Sequence, residues 1–125
     1  MDGNVELLKH IYNRFNARDI DAVLVVLAYD VAWANGMDGG HVHGREAVRE
    51  YWTKQWAVIQ PQVDPLRITN RSDGTMAVEV HQVVHDLKGK LLLDEAVRHV
   101  FRIEDDLITR FDIENAGGLS SIPHA

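Results

Sequence analysis

The stretch LLLDEAVRHVFRIEDDLITRFDIE, residues 91–114, decides the fold. Apolar and polar side chains alternate over residues 91–104, Asp105-Asp106 interrupts, and the alternation resumes over residues 107–115. Period-two patterning on both sides of a two-residue polar turn predicts an antiparallel hairpin with one buried face. On the first strand Leu93, Glu95, Val97, His99, Phe101 and Ile103 share a side, and on the second Leu107, Thr109, Phe111, Ile113 and Asn115 do. Those sides are the apolar ones, so they turn inward. The inward surface is therefore apolar with a few polar groups, among them Glu95 and His99, four residues apart on one strand.

Working back from this hairpin, the turn signals Ser72-Asp73-Gly74 and Lys88-Gly89-Lys90 set off two more strands, at about 66–71 and 75–86. Met76, Val78, Val80, Gln82 and Val84 form the inward side of the second, which makes Gln82 a polar residue on an apolar face. Before Pro61 and Pro65 the period changes to that of helices. Leu7, Leu8, Ile11, Tyr12 and Phe15 make one stripe over residues 5–17. Asp19 is placed to cap a second helix at about 20–28. Val48, Tyr51, Trp52, Gln55 and Ile59 stripe a third helix, which runs from near Gly44 until Pro61 forbids it. Between the second and third helices, residues 31–35 read as a short strand with Val31, Trp33 and Asn35 on one side, followed by a glycine-rich loop. The Gly- and Ser-rich tail from Ala116 is expected to be loosely ordered. Helices first and strands afterwards predict one α+β domain over residues 1–125, with the helices packed on one face of a strongly curved antiparallel sheet.

Composition narrows the function. The chain has 125 residues, no cysteine and a formal net charge of −6, with its basic residues scattered. Sulfur ligands and thiol nucleophiles are excluded, and a nucleic-acid surface, which needs a basic patch, is not expected. No stretch approaches the roughly 20 apolar residues of a membrane helix, and the N-terminus lacks a secretory pattern, so a cytoplasmic protein is expected. His41 and His43 are the nearest approach to a metal motif. Zinc and iron sites need three or four ligands, and His43-Gly44 fits a helix start better, so no metal and no cofactor are expected.

The segment ARDIDAVLVVLAYDVAWANGMDGGHVHGREAVREYW, together with VRHVFRIEDDLITRFDIE, resembles the SnoaL-like and ketosteroid-isomerase-like branch of the nuclear-transport-factor-2-like superfamily. The resemblance implies a cone-shaped fold, a curved sheet around a deep pocket, and a homodimer. It also places Asn35 where the isomerases keep a proton-shuttling carboxylate, and His99 where they keep a neutral acid. Their phenol donor would fall on Ile11, with Tyr12 one residue away and turned by about 100°. Trp52 takes the place of an aromatic that faces the pocket.

An amide cannot serve as a base, so inherited steroid isomerisation is not expected. The residues expected to do acid/base chemistry are His99 and Glu95. Trp33, Asn35, Trp52, Gln82, Phe101 and Phe111 are expected to hold a small apolar molecule carrying a carbonyl. The expected activity is isomerisation, cyclisation or dehydration, the alternative being a non-catalytic ligand-binding or dimerisation domain. Asp112 faces outward unless a bulge in the last strand reverses its parity. Glu79, His81, His85, Asp94, Arg98 and Arg102 form an outer polar surface, solvated or facing a second subunit.

Overall fold

Nine elements follow one another in the computed structural model, which describes residues 3–36 and 38–114. They are α1 (Gly3–Asn16), α2 (Ile20–Leu24), β1 (Leu27–Ala34), β2 (His41–His43), α3 (Arg45–Trp56), β3 (Ile59–Asn70), β4 (Met76–Asp86), β5 (Leu91–Glu104) and β6 (Leu107–Glu114). The six strands make one sheet in the order β2-β1-β6-β5-β4-β3, antiparallel except where β1 runs parallel to β6. Register shifts interrupt the β1–β6, β3–β4, β4–β5 and β5–β6 pairings. Such bulges bend long strands, and the sheet curves around the helices. The tail from Ala116 lies outside the described residues.

The helices bury the stripes that their spacing predicts. Leu8, Ile11, Tyr12 and Phe15 are the buried residues of α1, and Val48, Tyr51, Trp52 and Gln55 those of α3. Two helices are shorter than expected. Asp19 caps α2 as predicted, accepting from the Ala22 N–H at 3.2 Å, but the helix stops at Leu24 and Leu27 is already strand. Sheet pairing wins here: after a turn at Val25 and Val26, the Ile108 N–H donates to Val26 O at 2.9 Å and Leu27 pairs with Ile108, so the chain joins β6 in place of a further helical turn. Helix α3 ends at Trp56, and Ile59 already pairs with Asp86.

The largest correction is β3. Pro61 and Pro65 read as breaks, yet both lie within one twelve-residue strand. The reason is its position at the sheet edge. Val63, midway between the prolines, turns its polar backbone away from β4, where the Asn16 amide meets it: Val63 N–H donates to Asn16 Oδ1 at 3.0 Å, and Asn16 Nδ2 donates to Val63 O at 2.7 Å. Pro61 and Pro65 share that parity, so their missing N–H groups belong to the free edge and cost the ladder nothing.

The opening hairpin forms as read, with both Asp105 and Asp106 at positive φ (52° and 64°), as its tight turn requires. A bulge exists in β6, but its place is informative. Arg102 pairs with Arg110 while Ile103 pairs with Ile108, so Thr109 is the extra residue. The bulge turns Ile108 inward in place of Leu107's expected side, and leaves Phe111 inward and Asp112 outward. On the outer face Asp112 meets His41 Nε2 at 2.7 Å and Arg110 Nε at 2.8 Å. Burial alone would raise the Asp112 pKa, but these hydrogen bonds outweigh it and hold the carboxyl below its ordinary range. The outer face also carries Arg98 on Glu79 (2.7 Å), Arg71 on Glu114 (3.0 Å) and His81 on Asp94 (2.6 Å).

Candidate functional site

Between the helices and the inner face of the sheet lies a cavity lined by side chains from six elements. Helix α1 supplies Ile11, Tyr12 and Phe15, α3 supplies Trp52, and β3 supplies Val63. The remaining wall is the sheet itself: Trp33 of β1, His99 and Phe101 of β5, and Phe111 of β6. Pairing explains why these meet, since Trp33 lies beside Phe111 across the parallel pair and Phe111 beside Phe101 across the next. Period-two alternation then turns all of them to one side.

Ring geometry makes this wall rigid. Trp33 stacks on Phe111 with centroids 4.1 Å apart, and Trp52 stands edge-on to Trp33 at 5.2 Å and 88°. Phe15 meets Trp52 at 5.5 Å, and His99 meets Phe111 at 4.9 Å, both near perpendicular. The space left is thin. About 310 Å³ lies between the lining atoms when the part open to solvent is counted, but only about 20 Å³ admits the centre of a water-sized sphere. That is room for about one water molecule, so a ring-sized ligand requires side chains of the wall to move.

At the cavity wall Tyr12 Oη lies 2.7 Å from His99 Nδ1, and both residues are buried. The two rings are almost coplanar in orientation, 4° apart. Burial pushes the Tyr12 phenol well above its ordinary 10.0, so it is a neutral O–H group throughout the physiological range. When that O–H donates to Nδ1, the imidazole carries its own proton on the other nitrogen. The pair thus joins a neutral donor to a group able both to take and to return a proton.

The predicted site divides in two. His99, Trp33, Trp52, Phe101 and Phe111 meet at the cavity, and Asn35, Gln82 and Glu95 do not line it. Asn35 sits just beyond β1, where its Oδ1 accepts from the Asp38 N–H at 2.9 Å, so the amide closes the loop. Gln82 is fully buried but pairs with Glu95 on one side and Val63 on the other, farther along the sheet. Glu95 does face the inner side. Four residues of strand, about 13 Å at the usual rise, separate it from His99.

Tyr12 is the polar cavity-lining residue that the expected site leaves out. The α1 stripe reads as core, and the resemblance points to Ile11, one residue away; the usable signal is Tyr12's own place on the same buried stripe. Among the described residues no group of three or more His, Cys, Asp or Glu could hold a metal ion, and no helix is long and apolar enough to cross a membrane.

This curved sheet, wrapped on helices around an aromatic cavity, is the cone-shaped fold of nuclear-transport-factor-2-like proteins. The chain belongs to the SnoaL-like family, whose domain matches residues 8–111. An NTF2-like protein of unknown function from Burkholderia pseudomallei superposes with a TM-score of 0.81 at 25% identity, covering 92% of each chain. TerC, co-crystallised with polyporic acid, gives a TM-score of 0.80 at 22% identity, over 91% of this chain and 92% of TerC. RV0760c from Mycobacterium tuberculosis, in complex with estradiol-17β-hemisuccinate, gives 0.75 at 18% identity, over 92% of this chain and 93% of that one. No curated protein matches significantly.

Proposed function

We propose that this SnoaL-like chain takes a flat, apolar, carbonyl-containing small molecule into its aromatic cavity and moves a proton at the carbon beside the carbonyl. His99 acts as the acid/base, with Tyr12 holding and polarising it. The observation that supports this is the buried Tyr12–His99 contact at 2.7 Å on the cavity wall. Isomerisation, aldol-type cyclisation and dehydration all begin with such a transfer, and an imidazole can serve it as base and then as acid. Trp33, Trp52, Phe101 and Phe111 supply the apolar contacts. Glu95 stands outside this mechanism, because side-chain reach does not span the strand between it and His99.

Deuterium uptake by 2-indanone in D2O, followed by proton NMR, tests the reading. His99→Gln is expected to slow the protein-catalysed exchange by about 10²- to 10⁴-fold. Exchange at the wild-type rate in His99→Gln refutes the assignment. The thinness of the cavity favours one second reading, a ligand-binding domain without chemistry, which the same experiment reveals as binding without exchange. The expectation of a cytoplasmic homodimer, joined through the outer sheet face, belongs to this proposal too. Sedimentation velocity checks it: a monomer at high micromolar concentration would exclude the dimer.

A further inference from the structure

We propose that Asn35-Gly36, just beyond β1, is a site of spontaneous deamidation whose rate is held down by the Tyr51 hydroxyl. This is independent of the cavity reading above. Of the chain's six asparagines, Asn35 is the one followed by glycine. Glycine has no Cβ to crowd its own nitrogen, so the ring closure that starts the reaction meets least hindrance there.

The chemistry needs only water. The Gly36 nitrogen gives up its proton to solvent base and attacks Asn35 Cγ, the Cγ–Nδ2 bond breaks, and ammonia leaves behind a five-membered succinimide. Water then opens the ring at either carbonyl. Opening at the side-chain carbonyl gives aspartate, and opening at the backbone carbonyl gives isoaspartate. The net change is ammonia lost and water gained.

The folded turn opposes the first step. The Gly36 N–H donates to Tyr51 Oη at 3.0 Å, so the nitrogen that must attack is engaged through the very hydrogen it has to lose. Asn35 Oδ1 accepts from the Asp38 N–H at 2.9 Å, which fixes the side-chain amide. The Asn35 backbone is tied as well, its N–H donating to Gly40 O and its carbonyl accepting from the Gly39 N–H, each at 2.9 Å. Tyr51 does not yield easily, being buried on α3 with Gln55 Nε2 donating to its hydroxyl at 3.2 Å. The two products differ in fit. Aspartate keeps an oxygen for the Asp38 N–H, whereas isoaspartate adds a methylene to the backbone and disturbs the bonds to Gly39 and Gly40. Either one adds negative charge to a cleft of about 260 Å³ that Asp38, Glu50 and Lys54 also line.

The test ages the intact chain in mildly alkaline buffer, with and without urea, and follows residue 35 by peptide mass spectrometry, conversion adding about one mass unit. Asn35→Asp supplies the standard for the direct product. Conversion without urea should be about ten- to a hundredfold slower than with it, the effect of a few hydrogen bonds. Without urea, Tyr51→Phe should convert about two- to tenfold faster than the wild type. Asn16→Ala, whose lost bonds lie at β3, is the control for general destabilisation and should convert at the wild-type rate.

Equal rates with and without urea, absence of conversion at Asn35 in urea, or a Tyr51→Phe rate no higher than that of Asn16→Ala overturns the inference. Where Tyr51→Phe does not fold, hydrogen exchange at the wild-type Gly36 amide decides: protection supports the hold of Tyr51, and exchange at the rate of an open chain refutes it.

Discussion

At the scale of single residues, Tyr12 carries the clearest consequences. Its phenol is buried against His99 and its pKa lies above that of an exposed tyrosine. An acid whose folded pKa is raised keeps its proton in the fold while the unfolded chain loses it, so its contribution to stability is complete below pH 10 and declines as pH rises towards the folded value. Urea unfolding at pH 7 and pH 11 should therefore show a steeper alkaline loss in the wild type than in Tyr12→Phe. At pH 7 the same substitution should cost about 1–3 kcal/mol, because it leaves a buried imidazole nitrogen without its partner. Asn16 is a second such residue. Asn16→Ala removes both bonds to Val63, and a loss of about 1–3 kcal/mol in denaturant unfolding is expected. A loss below about 0.5 kcal/mol would mean that water replaces the amide at the β3 edge.

Among the elements, β6 shows how one residue sets the character of a face. Thr109 is the extra residue opposite β5, and it lets Ile108 and Phe111 both reach the core although they are three apart. Deleting Thr109 would restore strict alternation through the strand. Either Ile108 or the Phe111–Ile113 side would then turn to solvent and a charged residue would turn inward. Loss of cooperative thermal unfolding is expected for the deletion, and a change of under about 1 kcal/mol for Thr109→Ala, whose hydroxyl makes only exposed bonds. The same bulge keeps Asp112 outside the cavity, on His41 and Arg110. Its depressed pKa means that this contact contributes above the ordinary carboxylate value near 3.8 and is lost as pH falls through the lower folded value. Acid unfolding should begin at higher pH in His41→Ala, whose Asp112 lacks one of the bonds that lower it.

Over the whole molecule, Trp52 joins the layers, touching Phe15 of α1, Trp33 of β1 and Trp56 of its own helix while fully buried. Trp52→Ala should cost about 3–5 kcal/mol and widen the cavity, so that indane binds the variant more tightly than the wild type. Calorimetric unfolding and an indane titration check the two halves of that expectation. What the sequence by itself determined was the α+β layout, the inward faces of β4 and β5, and the meeting of Trp33, Trp52, His99, Phe101 and Phe111. Periodicity reports which way a side chain points, and that information is local. Only the tertiary structure decided which inward residues share the cavity, because depth along a strand and pairing with a distant helix leave no mark on periodicity. Glu95 and His99 therefore read as partners in sequence, whereas folding separates them along β5 and brings Tyr12 to His99 from the other end of the domain.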